Sequence, residues 1–281
     1  MGAIKPDQPF SRKINIRLNS IELTQHLGHT KYDDWIHSTF VDANIGFSRY
    51  TSMQIRFPSY TIIEGKMPTT KGWGDVLVNI NRNVFRNDAY QVNLTLGAKI
   101  FTSRANKQSD SGVPMPMYHQ TSNGSNDINF GVSILTRKWL LATGYQRVLN
   151  QVRNDFTHDA WQGDELQNIA MAYEPSSGLL RGDDLMFRLE RNFRLSHYNF
   201  YVGSLNLWRL NPDQIQNSDG QMMSVKGSTG LASNFILGGG YQFNAQMGIR
   251  LLASFRLKER DSNPDGLSRD FITQLAYIVR F

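Results

Sequence analysis

The chain contains no cysteine, which excludes a disulfide scaffold, a thiolate metal site and a cysteine nucleophile. It also lacks any run of about 18 apolar residues, the length a helix needs to cross a bilayer. With a mean hydropathy of −0.42, a helical membrane bundle is excluded. Charge is sparse, at 19% of residues. The net +6 is scattered, with no Lys/Arg-rich run of the kind that marks a nucleic-acid surface. What is abundant is aromatic: 16 Phe, 11 Tyr and 5 Trp, far too many for a solvated, disordered chain. The 281 residues suffice for one large all-β domain or two smaller ones. The start, Met1-Gly2-Ala3-Ile4-Lys5-Pro6, has no signal-like apolar stretch, and Pro6 stands where a myristoylation pattern needs Ser or Thr. Two readings stay open at this point: a cytosolic protein, or one whose signal peptide has been removed.

Hydrophobicity alternates with period two along most of the chain. Met247, Ile249, Leu251, Ala253, Phe255 and Leu257 alternate with Gly248, Arg250, Leu252, Ser254, Arg256 and Lys258. The same holds for Tyr90, Val92, Leu94, Leu96, Ala98 and Ile100 against Gln91, Asn93, Thr95, Gly97 and Lys99, and for Phe271–Phe281. In an extended chain successive side chains point to opposite faces, so each segment has one greasy and one polar face. Twelve strands are predicted, near 12–25, 35–48, 51–63, 74–86, 89–103, 126–136, 139–150, 183–194, 197–210, 230–243, 246–258 and 267–281. The first and ninth alternate poorly, and no helical period competes.

Connections alternate in length. Short ones fall at Arg49-Tyr50, Asn87-Asp88, Arg137-Lys138, Leu195-Ser196 and Asn244-Ala245. Longer ones fall near 26–34, 64–73, 104–125, 151–182, 211–229 and 259–266. A soluble sandwich has no reason to gather every long loop at one end, whereas a transmembrane barrel has short periplasmic turns and long extracellular loops. Aromatics flank the short turns (Phe47, Tyr50, Phe85, Tyr90, Trp139, Phe193, Tyr198, Phe243 and Phe281) as an interfacial girdle would; Trp35, Trp73, Phe101 and Trp208 suit the other rim. The expectation is an all-β chain: a single antiparallel transmembrane β-barrel of about twelve strands over 12–281, with 1–11 as an N-terminal periplasmic segment. Alternate residues then meet lipid and their neighbours enclose a polar interior, which accounts for the low hydropathy. The expected lining includes Asp75, Lys99, Arg188, Glu190, Arg194, Arg250 and Arg256. Basic residues on the inward faces (Lys258 and Arg280 with those above) outnumber Asp42, Asp75, Asp184, Glu190 and Asp270. A solvated lining of that kind favours anions; a filled lumen would instead pair these charges with one another, as Arg188 and Glu190, two apart on one face, can do.

The terminal Leu275-Ala276-Tyr277-Ile278-Val279-Arg280-Phe281 resembles the β-signal of Gram-negative outer-membrane barrel proteins. More narrowly, Gly72-Trp73-Gly74-Asp75-Val76-Leu77, Leu94-Thr95-Leu96-Gly97-Ala98-Lys99, Met117-Tyr118-His119-Gln120-Thr121-Ser122 and Gly240-Tyr241-Gln242-Phe243 resemble Bacteroidota-type putative transporters of the "MetA-pathway of phenol degradation" family. That resemblance implies an outer-membrane protein with a cleaved signal peptide. The expected function of the protein is that of a non-enzymatic channel or transporter for small molecules, by passive diffusion through the polar lumen and gated by the loops at 104–125 and 151–182; the family name implies uptake of small hydrophobic molecules. Its surroundings would be outer-membrane lipid, with a small-molecule solute and a surface protein on the long loops as candidate partners, and neither nucleic acid nor a cofactor.

An enzymatic alternative rests on His119-Gln120-Thr121-Ser122-Asn123-Gly124, which resembles the His-x-Ser-Asn-Gly pattern of the outer-membrane phospholipase A family but carries one extra residue. Spacing three puts His119 and Ser122 on opposite faces of a strand, where spacing two would pair them. A third alternative is a plugged structural or partner-binding barrel. Asp261-Ser262-Asn263-Pro264-Asp265-Gly266 matches the first half of a calcium loop, but the twelfth position is Ile272 rather than Glu, and the segment also reads as a turn. His26, His29, Asp33 and Asp34 are a weak metal candidate. Gly238-Gly239-Gly240 suggests a bend, a bulge, a close backbone approach or room for an inward loop.

Overall fold

The computed structural model describes residues 16–217 and 219–281. The strands are β1 (Arg17–His29), β2 (Trp35–Gly46), β3 (Thr51–Arg56), β4 (Tyr60–Glu64), β5 (Thr70–Trp73), β6 (Val76–Arg86), β7 (Tyr90–Ile100), β8 (Asp127–Thr136), β9 (Trp139–Val148), β10 (Asp184–Arg194), β11 (Tyr198–Arg209), β12 (Gln214–Gln216), β13 (Met222–Ser224), β14 (Gly230–Gln242), β15 (Met247–Lys258) and β16 (Phe271–Arg280). All but β12 and β13 form one antiparallel sheet, and β1 closes it by pairing with both β2 and β16. The β3–β4 and β5–β6 pairs each make one interrupted span, so twelve spans close a barrel. The β12–β13 hairpin stands apart in a loop.

The interruptions lie side by side. Pro58 has no backbone donor and cannot continue a ladder. Opposite it, Gly74 N donates to Ser59 O at 2.7 Å, so spans three and four break at the same height. The predicted first strand is corrected. Its segment at 12–15 lies outside the described residues, as does the expected periplasmic segment at 1–11. At the other end β1 continues to His29, because residues 26–29 pair with both Phe271–Gln274 and Trp35–Ser38. The expected first long loop therefore shrinks to 30–34, a tight turn in which Asp33 adopts φ 65° and Asp34 O accepts from Thr30 N. β5 likewise takes up the end of the expected loop at 64–73, leaving only 65–69.

The short turns share a chemistry. Ser48 Oγ, Asn87 Oδ1, Thr136 Oγ1 and Asn244 Oδ1 each accept two backbone N–H bonds from residues two and three ahead. Side-chain mimicry of a backbone turn suits these residue types and lets adjacent strands reverse with few residues.

The apolar half of each alternation faces outward. Leu96, Phe130, Leu189, Phe235, Leu251 and Leu275 are all exposed, which is the arrangement of a surface meant for hydrocarbon. Where the alternation slips, a bulge absorbs the slip. Between Asn83 and Phe85 the register shifts, so both Val84 and Phe85 face out, and Phe85 stacks on Tyr90 at 5.3 Å. The expected girdle residues Tyr50, Tyr90, Trp139, Phe193, Tyr198, Phe243 and Phe281 are exposed at the short-turn rim, and Trp35, Trp73, Phe101 and Trp208 at the other.

Leu251 and Leu252 are neighbours near the middle of β15 on opposite faces. Leu251→Arg is expected to lower folding stability in bilayers by about 2–4 kcal/mol, and Leu252→Arg by clearly less. Denaturant titration of the two refolded variants checks this.

Candidate functional site

Most of the best-buried side chains are not in the barrel wall. Trp161, Phe156, Met115, Tyr118 and Tyr173, with Met67 and Ala170, form a dry cluster built wholly from the loops at 65–69, 101–126 and 149–183. Ala105, Met117, Val152 and Leu179 form a second. Between them Asn154, fully buried, donates to Ala105 O (2.9 Å) and Met115 O (3.2 Å) and accepts from Phe156 N and Ser176 Oγ. Trp161 Nε1 donates to Pro114 O at 2.9 Å. The long loops are thus a folded cap.

Two ionic clusters fasten the cap to the barrel wall. Arg209 of β11 clamps Asp184 of β10 (2.7 and 2.9 Å), Asp265 (2.9 Å) and Asp213. Arg260 meets Asp265 at 3.2 Å and Asn263 at 3.1 Å. Burial would raise Asp265, but Arg209 and Arg260 outweigh it and hold the carboxyl well below the usual carboxylate range. Burial and the neighbouring Asp265 push Asp213 up. The second cluster centres on Asp127 of β8, which takes Lys99 (3.2 Å), Gln146 (2.6 Å), Ser125 (2.7 Å) and Arg181 from the cap.

A third contact, fully buried, sits under the tight 30–34 turn. Tyr173 donates to Asp34 (2.8 Å), and His119 Nε2 lies 3.2 Å from the same oxygen. Burial and then Asp34 raise the Tyr173 hydroxyl, so it stays a neutral donor.

These contacts decide several of the sequence candidates. His119 is spent on Asp34 and Tyr173, while Ser122 Oγ donates to Asp75 at 2.6 Å and accepts from Gly124 N. No bond joins His119 to Ser122 among the described residues, and both are buried among loops rather than on the lipid-facing wall, so the hydrolase geometry is not formed. The segment Asp261–Gly266 forms the turn that the sequence also allows, with Gly266 N donating to Asn263 O; Asp265 is committed to two guanidiniums, and Asp261 is exposed. The histidine–aspartate candidate is corrected. His26 is on β1 beside Gln274, His29 lies 3.9 Å from Asp33, and Asp34 faces His119. No group of three metal-ligating side chains converges among the described residues.

Of the expected lining residues, Asp75 anchors Ser122 Oγ and Asn123 N, and Lys99 meets Asp127. Arg188 pairs with Glu190, Arg250 with Glu22, and Arg256 with Glu259 and Asp270. Arg194 is exposed near the short-turn rim with no partner among the described residues. Asp42 and Arg56, joined by two 3.0 Å bonds, complete the set, with Arg56 stacked on Phe40 at 3.9 Å.

The inner faces are unequal. On β6–β9 they carry Asn79, Asn81, Thr95, Gly97, Asn129, Gly131, Ser133, Ala142 and Gly144; on β11–β16, Leu205, Leu207, Ile236, Leu252, Ile272 and Ala276. Tyr201 lies flat across its partner Gly238, where a Cβ would come within 2.1 Å of the ring. Gly238 of the triple glycine therefore serves a close side-chain approach. Beneath the cap is a cavity of about 370 Å³ lined by seven basic side chains, four carboxylates and the aliphatic wall. A second, of about 280 Å³, follows the Gly131–Gly144 pair and shares Gln146, Asp184 and Leu207 with the first.

The fold is that of porin-like outer-membrane barrels. The structure is similar to the COG4313 outer membrane channel from Pseudomonas putida F1, with a TM-score of 0.64 at 12% identity over 99% of this chain and 100% of that one. It is also similar to the NanC porin, with a TM-score of 0.51 at 8% identity over 94% and 100%. The outer membrane phospholipase A from Escherichia coli is more distant, with a TM-score of 0.38 at 9% identity over 97% and 95%. No protein-family model and no curated protein matches the chain, so the family resemblance in the sequence rests on its short segments.

Sequence reasoning puts the gate on the loops at 104–125 and 151–182, which build most of the cap, but misses that they pack on one another as a dry core. The only signal was the aromatic and Met content of the loops, and its meaning depends on which loops meet. Trp161→Ala should destabilise the cap by about 3–5 kcal/mol, the range for deleting a buried aromatic. Faster hydrogen exchange at Met115 and Phe156, with the strands still protected, is the expected measurement.

Proposed function

We propose that the protein is an outer-membrane channel for small molecules, working by passive diffusion. The observation that carries this reading is a closed barrel whose outer face is apolar and whose inner face, rich in charged and polar side chains, encloses a cavity beneath the cap. Fold likeness to an outer membrane channel and a porin supports it. In this reading Asp75, Lys99, Arg188, Glu190, Arg194, Arg250 and Arg256 line the conduit. Outer-membrane lipid surrounds the apolar belt, and the natural precursor carried a signal peptide. The short segments resembling the Bacteroidota transporters agree with uptake as the role.

The folded cap makes the resting channel constricted. Its cluster packing, the Arg181–Asp127 ion pair and the Gly182 N–H bond to Asp213 hold residues of 101–126 and 149–183 over the mouth. Solute passage then requires the cap to shift.

Stepwise conductance in planar bilayers is the test. The wild type should show small or infrequent steps, and Trp161→Ala should raise conductance or open probability several-fold. Absence of steps in both proteins would overturn the channel reading and leave a plugged structural barrel.

A further inference from the structure

The cavity beneath the cap is chemically two-sided, and not all of its cations are spent. Arg209, Arg256 and Arg260 are neutralised by carboxylates. Three others keep donor capacity. Lys258 has no hydrogen-bond or ion-pair partner among the described residues, and Arg269 is bonded only to the carbonyls of Gly266 and Ser268. Arg181 is 4% exposed and uses Nη2 on Asp127 and Ser125, while its buried Nε–H has no partner. A buried guanidinium N–H left unpaired costs free energy that a bound acceptor recovers. Leu205 and Leu207 of β11, with Ala232 paired beside Leu207 on β14, supply an apolar patch in the same lining. The volume, about 370 Å³, falls within the range of small-ligand sites.

We infer that this cavity is a binding site for an amphipathic monocarboxylate, with the anionic head at Arg181, Lys258 and Arg269 and the apolar tail along Leu205, Leu207 and Ala232. The inference names the solute class of the proposed channel and rests on that reading for its transport role. A simple inorganic anion would leave the apolar patch wet, and a neutral apolar solute would leave Lys258 and Arg269 without a counter-charge and the Arg181 Nε–H without an acceptor. A carboxylate on a short hydrocarbon tail answers both surfaces, because charge-assisted bonds fix its head and burial of the tail removes apolar area from water.

The test is direct binding to the full-length protein in lipid nanodiscs, read by saturation-transfer NMR against empty nanodiscs, with hexanoate, acetate and 1-hexanol as probes. Hexanoate should bind at least about tenfold more tightly than either of the others, since each lacks one half of the recognition. In the double variant Lys258→Gln/Arg269→Gln the hexanoate affinity should fall to that of 1-hexanol, and the charge-conserving Lys258→Arg/Arg269→Lys should retain it. Leu207→Asn should weaken hexanoate and hexanol together. Heat-modifiable migration in SDS gels reports that each variant still forms the barrel. Equal binding of acetate and hexanoate, or an unchanged hexanoate affinity in the double variant, overturns the inference. Because binding is measured without current, a protein that binds hexanoate but never conducts overturns the channel reading alone, and one that conducts without this binding pattern overturns the site alone.

Discussion

Hydrocarbon offers no hydrogen bonds, and every other feature of this chain follows from that. A backbone amide left open within the apolar zone costs several kcal/mol, so a strand-built membrane protein must return its last strand to its first. Here β1 meets β2 on one side and β16 on the other. Once closure is imposed, the two faces of each strand acquire different solvents. The alternation of apolar and polar residues is then a record of two environments 10 Å or so apart across one wall. The bulge at Val84 shows how strictly that record is kept: the ladder gives up one pairing so that two consecutive apolar side chains can both reach the outer face.

Closure also explains why the buried core lies outside the barrel. The wall has lipid on one side and a polar interior on the other, so neither face supplies the dry packing found in a soluble domain. That packing appears instead where the loops converge. The cap joins Met115, Phe156, Trp161 and Tyr173, and it is tied down by carboxylates and guanidiniums at the height where the wall ends. Function in this reading depends on the balance between that local cluster and the space below it.

The barrel was legible because its signal is local. Alternation in segments such as Met247–Lys258, and turn residues such as Asn87 and Asn244, specify strand and reversal without reference to distant parts of the chain. Eleven of the twelve spans fall within a few residues of their expected places; the exception is the first, where His26, Gly28 and His29 disguise the end of β1. The breaks at Pro58 and Gly74 were unreadable together, since their side-by-side placement arises only from pairing. The packing of the cap was illegible for the same reason. Whether Arg209 meets Asp184, Asp213 or Asp265, and which of the interior cations is left over, is decided by residues up to 56 positions apart. The His119–Ser122 and Asp261–Gly266 motifs read as chemistry because motif matching sees neighbours in sequence, whereas Asp34, Asp75 and Arg209 had already claimed those side chains in space.

The Tyr173–Asp34 bond carries a consequence for biogenesis. Its partners are 139 residues apart and come from opposite sides of the ring, one on the turn after β1 and one on the loop before β10. The pocket that buries Tyr173 cannot exist until intervening strands have curled round and brought the two turns together. The lid is therefore completed by the curvature of the whole sheet and not by any single hairpin. A half-zipped intermediate would present Trp161, Phe156 and Tyr173 to water, giving a folding-surveillance factor a greasy flag that vanishes when the cylinder is complete.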